Sequence, residues 1–376
     1  MSGPLQGIKI IELAGIGPSP YACMLLADLG ADVLRLERGN PDAEPTVSWD
    51  ILNRSRDSVA LNLKSDSGRE LVLRLAADAD VVIEGFRPGV AERLGVGPDD
   101  LLALNPALVY GRMTGWGQTG PLAERAGHDI NYIALSGALW SIGRSGERPV
   151  PPLNLVGDFG GGGMLLALGV LGALLHSQRT GEGQVVDAAM VDGAASLMAM
   201  TYSFIAAGLA IEERGANLLD TGAHFYEVYE TSDGKYMAVG AIEKKFYEEL
   251  LRGLGLEGAD LPAQMDRTQW PHLKQRFSEI FLSKSRDEWT AIFEDVDACV
   301  TPVLSPTEAA NHRHNVARSV FATDPIQPQP VPRFSKTPGQ ISSPPTTPGA
   351  GTRRGLERWG LTEEEINELH AAGAFL

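Results

Sequence analysis

Apolar positions at the start of the chain come in two short runs, residues 8–13 and 31–36, joined by a Gly/Pro loop and by residues 21–29, whose apolar side chains recur at helical spacing. Short apolar runs bounded by turn residues read as buried strands, so this opening predicts a β-α-β unit. The alternation continues, with strands expected at 58–63, 81–83 and 108–113 and helices at 65–77 and 90–94. The helix at 65–77 opens with Ser, Asp, Ser and Gly, hydroxyl and acid groups that suit a helix N-terminus. Strands alternating with helices imply a doubly wound, largely parallel sheet. In such a sheet ligands collect beyond the carboxyl ends of the strands, where the Gly-rich loops fall.

Helices are expected at 159–178 and from 191 to about 209. The texture changes near residue 226: two strand patterns, 228–230 and 236–239, flank Asp233-Gly234, a strong hairpin signal. Helical patterns with charged faces then run from 244 to 295. A proline-rich stretch, 324–348, reads as an extended connection. The last helix, 362–371, opens Thr-Glu-Glu-Glu as a capping box would. The division this implies is a large α/β domain over 1–190 and 330–376, a linker helix over 191–224, and a smaller α+β domain over 225–329.

Composition adds exclusions. With 32 Lys+Arg against 48 Asp+Glu the net charge is −16, which repels a nucleic-acid polyanion. A small anionic ligand is still compatible, because Arg35, Arg38, Arg87 and Arg93 cluster in the first quarter of the chain. The two cysteines, Cys23 and Cys299, form no disulfide framework or metal-ligand cluster, and a reduced cytoplasmic setting suits them. The apolar stretch 164–175 is interrupted by glycines and too short to span a bilayer, and neither terminus carries a targeting signal, so no membrane partner is expected. A dinucleotide cofactor is also disfavoured: the first loop reads Gly15-Ile16-Gly17-Pro18-Ser19-Pro20, with proline where close helix–strand packing asks for a third glycine.

The chemistry-bearing block spans 126–163. It holds GHDINY (127–132), IGRSGERP (142–149) and PLNLVGDFGGGG (152–163). Asp158 precedes four glycines that open an apolar helix. Each glycine lowers helix stability by about 1 kcal/mol relative to alanine, so four together call for a backbone that must approach something closely. An N-cap role would explain Asp158 but not the glycines. His128 in its loop and Glu243 in GAIEKKFY are individually unremarkable.

Taken together, ELAGIGPSPYACMLLADLGADVLRLER, LNLKSDSGRELVLRL, EGFRPGVAERLG, MTGWGQTGP, the 126–163 block, GQVVDAAMVDG, YMAVGAIE and DACVTPVL resemble the α-methylacyl-CoA racemases of the family III CoA-transferase superfamily. The resemblance runs from residue 4 to about 310. It implies that His128 and Asp158 are the two acid/base residues facing the substrate α-carbon, with Glu243 orienting and polarising His128. It also implies CoA contacts from Arg38, from Leu61, Asn62, Leu63 and Lys64, and from Arg87 and Arg93. Gly127, His128, Asp129, Ile130, Asn131 and Tyr132 would line the pantetheine end. The substrate would be a 2-methylacyl-CoA thioester, no cofactor or metal would be needed, and the molecule would be an interlocked homodimer whose sites draw Glu243 from the second chain.

The chemistry of the residues agrees with that expectation. Racemising a 2-methylacyl thioester means removing a weakly acidic α-proton and returning one to the opposite face, which needs a base on each side, one of them protonated. A carboxyl that keeps its proton part of the time needs desolvation to raise its pKa. The enolate-like intermediate needs preorganised donors, for which backbone N–H groups near the start of the Gly160 helix are candidates. Met190, Met198 and Met200 could present a flexible surface to a branched acyl chain, or pack in a core helix. The chain departs from the racemase pattern at Thr221-Gly222-Ala223-His224, where Gly-Gly-Ala-Pro is usual, and at Lys244-Lys245, where Pro-Gln is usual. The rival reading is a transferase of the same superfamily, with Asp158 as an acyl-carrying nucleophile.

Overall fold

In the computed structural model, which describes residues 3–38 and 49–375, the chain forms two compact units. One comprises the described residues up to Ser136, Pro152–Leu197 and those from Phe321 on; the other is Gly137–Pro151 with Met198–Val320.

The large unit is built on six strands: β1 (Lys9–Leu13), β2 (Asp32–Glu37), β3 (Asp57–Ala60), β4 (Val81–Glu84), β5 (Val109–Thr114) and β6 (Gln184–Ala189). All neighbours are parallel, in the order β3-β2-β1-β4-β5-β6. The central strands are apolar on both faces because both are covered. Ile10, Ile11, Leu13, Leu34, Val81, Val82 and Ile83 are all fully buried. On one face lie α1 (Pro18–Asp28) and a later helix, Met164–Thr180. On the other lie α2 (Asp66–Ala77), α3 (Val90–Arg93), α4 (Pro98–Leu104) and the C-terminal helices Thr352–Arg358 and Glu363–Ala371. Ser65 starts α2 by accepting from the Gly68 N–H at 3.1 Å, and Thr362 starts the last helix with a capping box to Glu365. β6 escapes the sequence pattern because it is an edge strand, its apolar residues broken by the exposed Gln184 and Asp187.

After β5 come α5 (Asp129–Leu135) and the one-turn α6 (Ala138–Ser141), the latter in the second unit. The helix expected at 159–178 begins earlier. Leu155–Gly163 is a π-helical segment that runs directly into α7 (Met164–Thr180), with the Met164 N–H donating to Phe159 O across a wide turn. Asp158 is therefore inside the first turns, not at the cap. Together these segments make a 26-residue helix holding an 18-residue window of mean hydropathy 1.6, enough by length and composition to cross a membrane, and longer than the 164–175 run suggested. The inner face, Leu166, Val170 and Ala173, is buried in the core beside Ile83 and Val109, whereas Met164, Leu168 and Leu175 face outward.

Domain boundaries differ from the sequence expectation in three places. Residues 191–224 are no single linker helix: α8 (Met190–Leu197) belongs to the large unit and α9 (Ala199–Ala206) to the second, with Met198 between them as the N-cap of α9. Residues 137–151 join the second unit, where Arg144 donates to Glu227 at 2.5 Å. Residues 321–329 join the large unit, because Arg54 donates to Gln327 Oε1 at 3.0 Å and to Pro328 O at 2.7 Å.

The second unit carries an antiparallel sheet β7-β8-β9, from Tyr226–Glu230, Tyr236–Gly240 and Val300–Pro302. Asp233-Gly234 makes the hairpin, with Gly234 at φ +69°. The sheet packs on α10 (Lys244–Gly253), α11 (Trp270–Phe281) and α12 (Arg286–Phe293) through an aromatic core of Phe225, Tyr229, Trp270, Phe277, Phe281, Trp289 and Phe293. The first departure from the racemase pattern lies in this core's margin. Thr221 takes φ +74°, a left-handed conformation that suits glycine and strains a β-branched residue. His224 is fully buried, with Nε2 2.8 Å from Tyr247 Oη, and burial pushes its pKa down to about 4, so it is neutral near pH 7.

The glycines after Asp158 are explained by packing. A Cβ on Gly193 would stand 1.8 Å from Gly161 O, and one on Gly161 would stand 2.6 Å from Ala194 N. Gly162 and Gly163 meet Pro18 Cβ at 3.0 Å and Pro18 O at 2.6 Å in the same sense. Gly193→Ala is therefore expected to cost about 3 kcal/mol, the upper end of overpacking, because backbone cannot yield. Gly172→Ala, in the same unit where nothing lies within 4 Å, should stabilise by roughly 0.5–1 kcal/mol. Urea-denaturation midpoints of the two variants check both signs.

Candidate active site

Strand order reverses between β1 and β4, and a cavity of about 580 Å³ opens beyond their carboxyl ends. Ile16–Ser19 line it after β1, Gly85–Pro88 after β4, and Met113–Trp116 at the end of β5; Arg125–His128, Tyr132, Asn154, Asp158 and Phe159 also face it. His128 is the N-cap of α5, and its backbone N–H donates to Asn131 Oδ1 at 3.0 Å, so the helix fixes where the exposed imidazole starts. Tyr132, one turn on, stands edge-on to Trp116 with ring centroids 4.7 Å apart. Gly115 and Gly127 lack side chains for the sake of that ring: a Cβ on either would come within 2.1 and 2.7 Å of it.

Asp158 is half-buried. Burial pushes its carboxyl pKa up; Asn154 Nδ2, donating to Oδ2 at 3.0 Å, pulls the other way, the Asp129 charge adds to the rise and His128 opposes it. Gly17, at φ +66°, brings bare backbone against the carboxylate: its Cβ position is 3.1 Å from Asp158 Oδ2. A histidine and a carboxyl biased toward its protonated form thus face one cavity.

Of the residues implicated by sequence, the cavity gathers Arg87, Gly127, His128, Tyr132 and Asp158. Asp129, Ile130 and Asn131 are not in its wall. Asp129 is buried, and its Oδ2 accepts from the N–H groups of Gly157 at 2.6 Å and Asp158 at 2.8 Å. Those are N–H groups at the start of the Gly-rich helix, so this pair is occupied and cannot serve as the oxyanion donors expected there. Arg38, Asn62 and Lys64 follow β2 and β3, and Arg93 ends α3, all at the same carboxyl edge of the sheet but outside the cavity wall. Leu61 is 1% exposed and Leu63 packs against the same core cluster, which turns their side chains away from a ligand. Arg35, counted among the available cations, is instead held internally by Glu12 at 2.8 Å. Glu243 stands in the second unit as an exposed N-cap of α10 whose side chain makes no capping hydrogen bond; Lys244 pairs with Glu248, and Lys245 lies over the Phe246 ring.

Two wall residues escaped the sequence reading. Arg125 sits two residues before the GHDINY motif, separated from it by Ala126. Asn154 lies four residues before Asp158, a spacing that places both on one side of a helical turn. Met190 also reaches this wall, whereas Met198 and Met200 line an apolar cavity of about 520 Å³ in the second unit.

Comparison with known proteins places this geometry in context. The family model described as CoA-transferase family III matches residues 5–354. An α-methylacyl-CoA racemase from Mus musculus is 47% identical over 372 residues, covering 98% of this chain and 96% of that protein. The Homo sapiens protein of that name is 46% identical over 374 residues with the same coverage. The alpha subunit of a succinyl-CoA–L-malate CoA-transferase from Chloroflexus aurantiacus is 30% identical over 397 residues, 98% of this chain and 92% of that one. Among solved structures, a CaiB/BaiF family protein from Brucella suis is similar with a TM-score of 0.83 at 26% identity, covering 96% of this chain and 100% of that chain.

The hydrogen bond from Asn154 favours the charged form of Asp158, so Asn154→Ala should raise the pH at which Asp158 loses its proton. Carboxyl ¹³C NMR titrations of wild type and variant, assigned by subtraction of Asp158→Asn, read the shift. A titration unchanged or moved to lower pH contradicts the electrostatic account.

Proposed function

Since the chain belongs to CoA-transferase family III, we propose that it racemises 2-methylacyl-CoA thioesters by cofactor-free 1,1-proton transfer. The observation that carries the reading is the meeting of His128 and an Asp158 whose pKa burial raises in one cavity, in a chain 46–47% identical along its length to proteins named α-methylacyl-CoA racemase. One of the two residues takes the α-proton as base. The other, protonated, delivers a proton to the opposite face, and the roles exchange with direction. The enolate-like intermediate between these steps carries its charge toward the thioester oxygen. Uptake of the acid's proton quenches it, so no group is transferred and no external reactant is consumed.

Arg87 faces the cavity, and Arg38, Lys64 and Arg93 lie beyond it on the sheet's carboxyl edge, a set of cations suited to the phosphates of CoA. Glu243 is assigned, on the resemblance, to orient His128 from a second copy of the chain. The homodimer is supported by the outward apolar residues of the large unit, Leu153, Leu155, Met164, Leu168, Leu175 and Leu197, each about half or more exposed. Met164, Leu168 and Leu175 recur at helical spacing on one face of α7, and an apolar face left in water marks an association surface. A second protein surface, rather than a bilayer, is the assigned cover, because the opposite face of α7 is already spent on the sheet. The setting is cytoplasmic, compatible with the free thiols Cys23 and Cys299.

Incubation with a single enantiomer of a 2-methylacyl-CoA in D₂O, without acceptor acid, should incorporate α-deuterium and scramble the stereocentre. His128→Ala and Asp158→Asn should each lower kcat by on the order of 10²–10⁴. A hydroxylamine-trappable acyl-enzyme with no α-exchange would instead mark Asp158 as a transferase nucleophile. For the dimer, light scattering should give twice the chain mass. Mixing inactive Asp158→Ala chains with inactive Glu243→Ala chains should restore about one good site per mixed dimer if sites are shared. No recovery would mean that each site uses one chain's residues alone.

A further inference from the structure

We propose that Asp129 is the positioning residue of this site: its buried carboxylate ties the backbone carrying His128 to the backbone carrying Asp158. The proposal rests on the reading of His128 and Asp158 as an acid/base pair, and it assigns Asp129 a role other than contact with the pantetheine arm.

The geometry is that of a clamp. Asp129 is the first residue of α5, directly after His128, and is 6% exposed. Its Oδ2 alone accepts from both Gly157 N at 2.6 Å and Asp158 N at 2.8 Å. The first turn of a helix leaves such N–H groups without intrahelical partners, and an anion there is favoured by the helix dipole as well. Gly157 is required by the clamp, since a Cβ on it would stand 2.5 Å from Asp129 Oδ2 and 2.8 Å from Cγ. The other oxygen, Oδ1, is buried with no hydrogen-bond partner among the described residues. A buried carboxylate oxygen left unpaired is costly, and an apolar or neutral cap would avoid that cost. Its retention fits a use for the charge itself.

That use is electrostatic. The titratable or charged groups sharing the cavity with Asp158 are His128 and Tyr132 from the start of α5, Arg87 after β4, and Arg125; α1 and the loop before it bring only Ile16, Gly17, Pro18 and Ser19, and α8 brings Met190. His128 favours ionised Asp158, and Asp129 is the carboxylate that opposes ionisation. Two-base chemistry requires the pair to keep its separation while a proton moves, and requires the carboxyl to hold a proton. One buried side chain serves both needs.

Asp129→Asn keeps the shape and an acceptor oxygen but removes the charge. Carboxyl ¹³C NMR without substrate should show Asp158 titrating at lower pH than in wild type, and kcat should fall about tenfold or more while KM for the CoA thioester stays within twofold. Gly157→Ala keeps the charge but breaks the clamp, and it should lower kcat by on the order of 10² at a similar KM, the scale expected for a misplacement of about 1 Å. The proposal is overturned if Asp158 titrates unchanged in Asp129→Asn, if KM rises while kcat is kept, or if the variants lose only thermal stability. Should Asp129→Asn fail to fold, the kcat of Gly157→Ala decides the positioning role. The titration needs no turnover, so a wild type that exchanges no α-proton would remove the racemase reading while leaving the Asp129–Asp158 coupling decided by its own result.

Discussion

The large unit depends on a direct approach of backbone to backbone. Gly161 O lies where any side chain at position 193 would begin, and Gly162 and Gly163 lie against the first turn of α1. Four glycines in a helical run cost about 1 kcal/mol each relative to alanine. The π-helical winding is a further departure from the most stable helix, of a kind that recurs at functional sites. What the chain gains is a wedge thin enough to enter between α1 and α8, with Asp158 held at its rim against the bare backbone of Gly17. Asp158 is half-buried because of that wedge, and its desolvation, hence its tendency to keep a proton, follows from the same contact.

Charge is distributed to match. The chain carries a net −16, yet the carboxyl edge of the sheet presents Arg38, Lys64, Arg87 and Arg93. Other arginines near that edge are spent inside. Glu12 is fully buried and accepts from Arg35 and from Arg56, while Arg54 pairs with Asp28 beneath. Removing one partner of a buried pair typically costs about 3–5 kcal/mol, because the other charge is left uncompensated. Those pairs lock β1, β2 and the approach to β3 in register and do not advertise a ligand. The cations that remain exposed are the ones free to meet an anionic substrate, so a strongly acidic protein can still bind a polyphosphate-bearing thioester.

The sequence by itself determined the α/β alternation, the hairpin at Asp233-Gly234, the capped helices after Ser65 and Thr362, and part of the site, with His128 and Asp158 in it. Those features are local: a period of apolar residues, a turn that needs a positive φ, a hydroxyl three residues before an N–H. The edge strand β6 was hidden because exposure broke its apolar period, and the π-helical start was hidden because glycines carry no period at all. Only the tertiary structure decided that the glycines serve α1 and α8, that Arg35 and Leu61 face inward, and that Asp129 turns from the cavity to the Gly157–Asp158 backbone. Each of these depends on which distant segment occupies the space beside a residue. Asp158, the residue with which the glycine run is associated from the outset, keeps its candidate role, but it gains a neighbour, Asn154, and a support, Asp129, that no spacing rule distinguishes from ordinary polar residues. Side-chain direction is set by what the packed chain leaves open, and that is a property of the fold, not of the string.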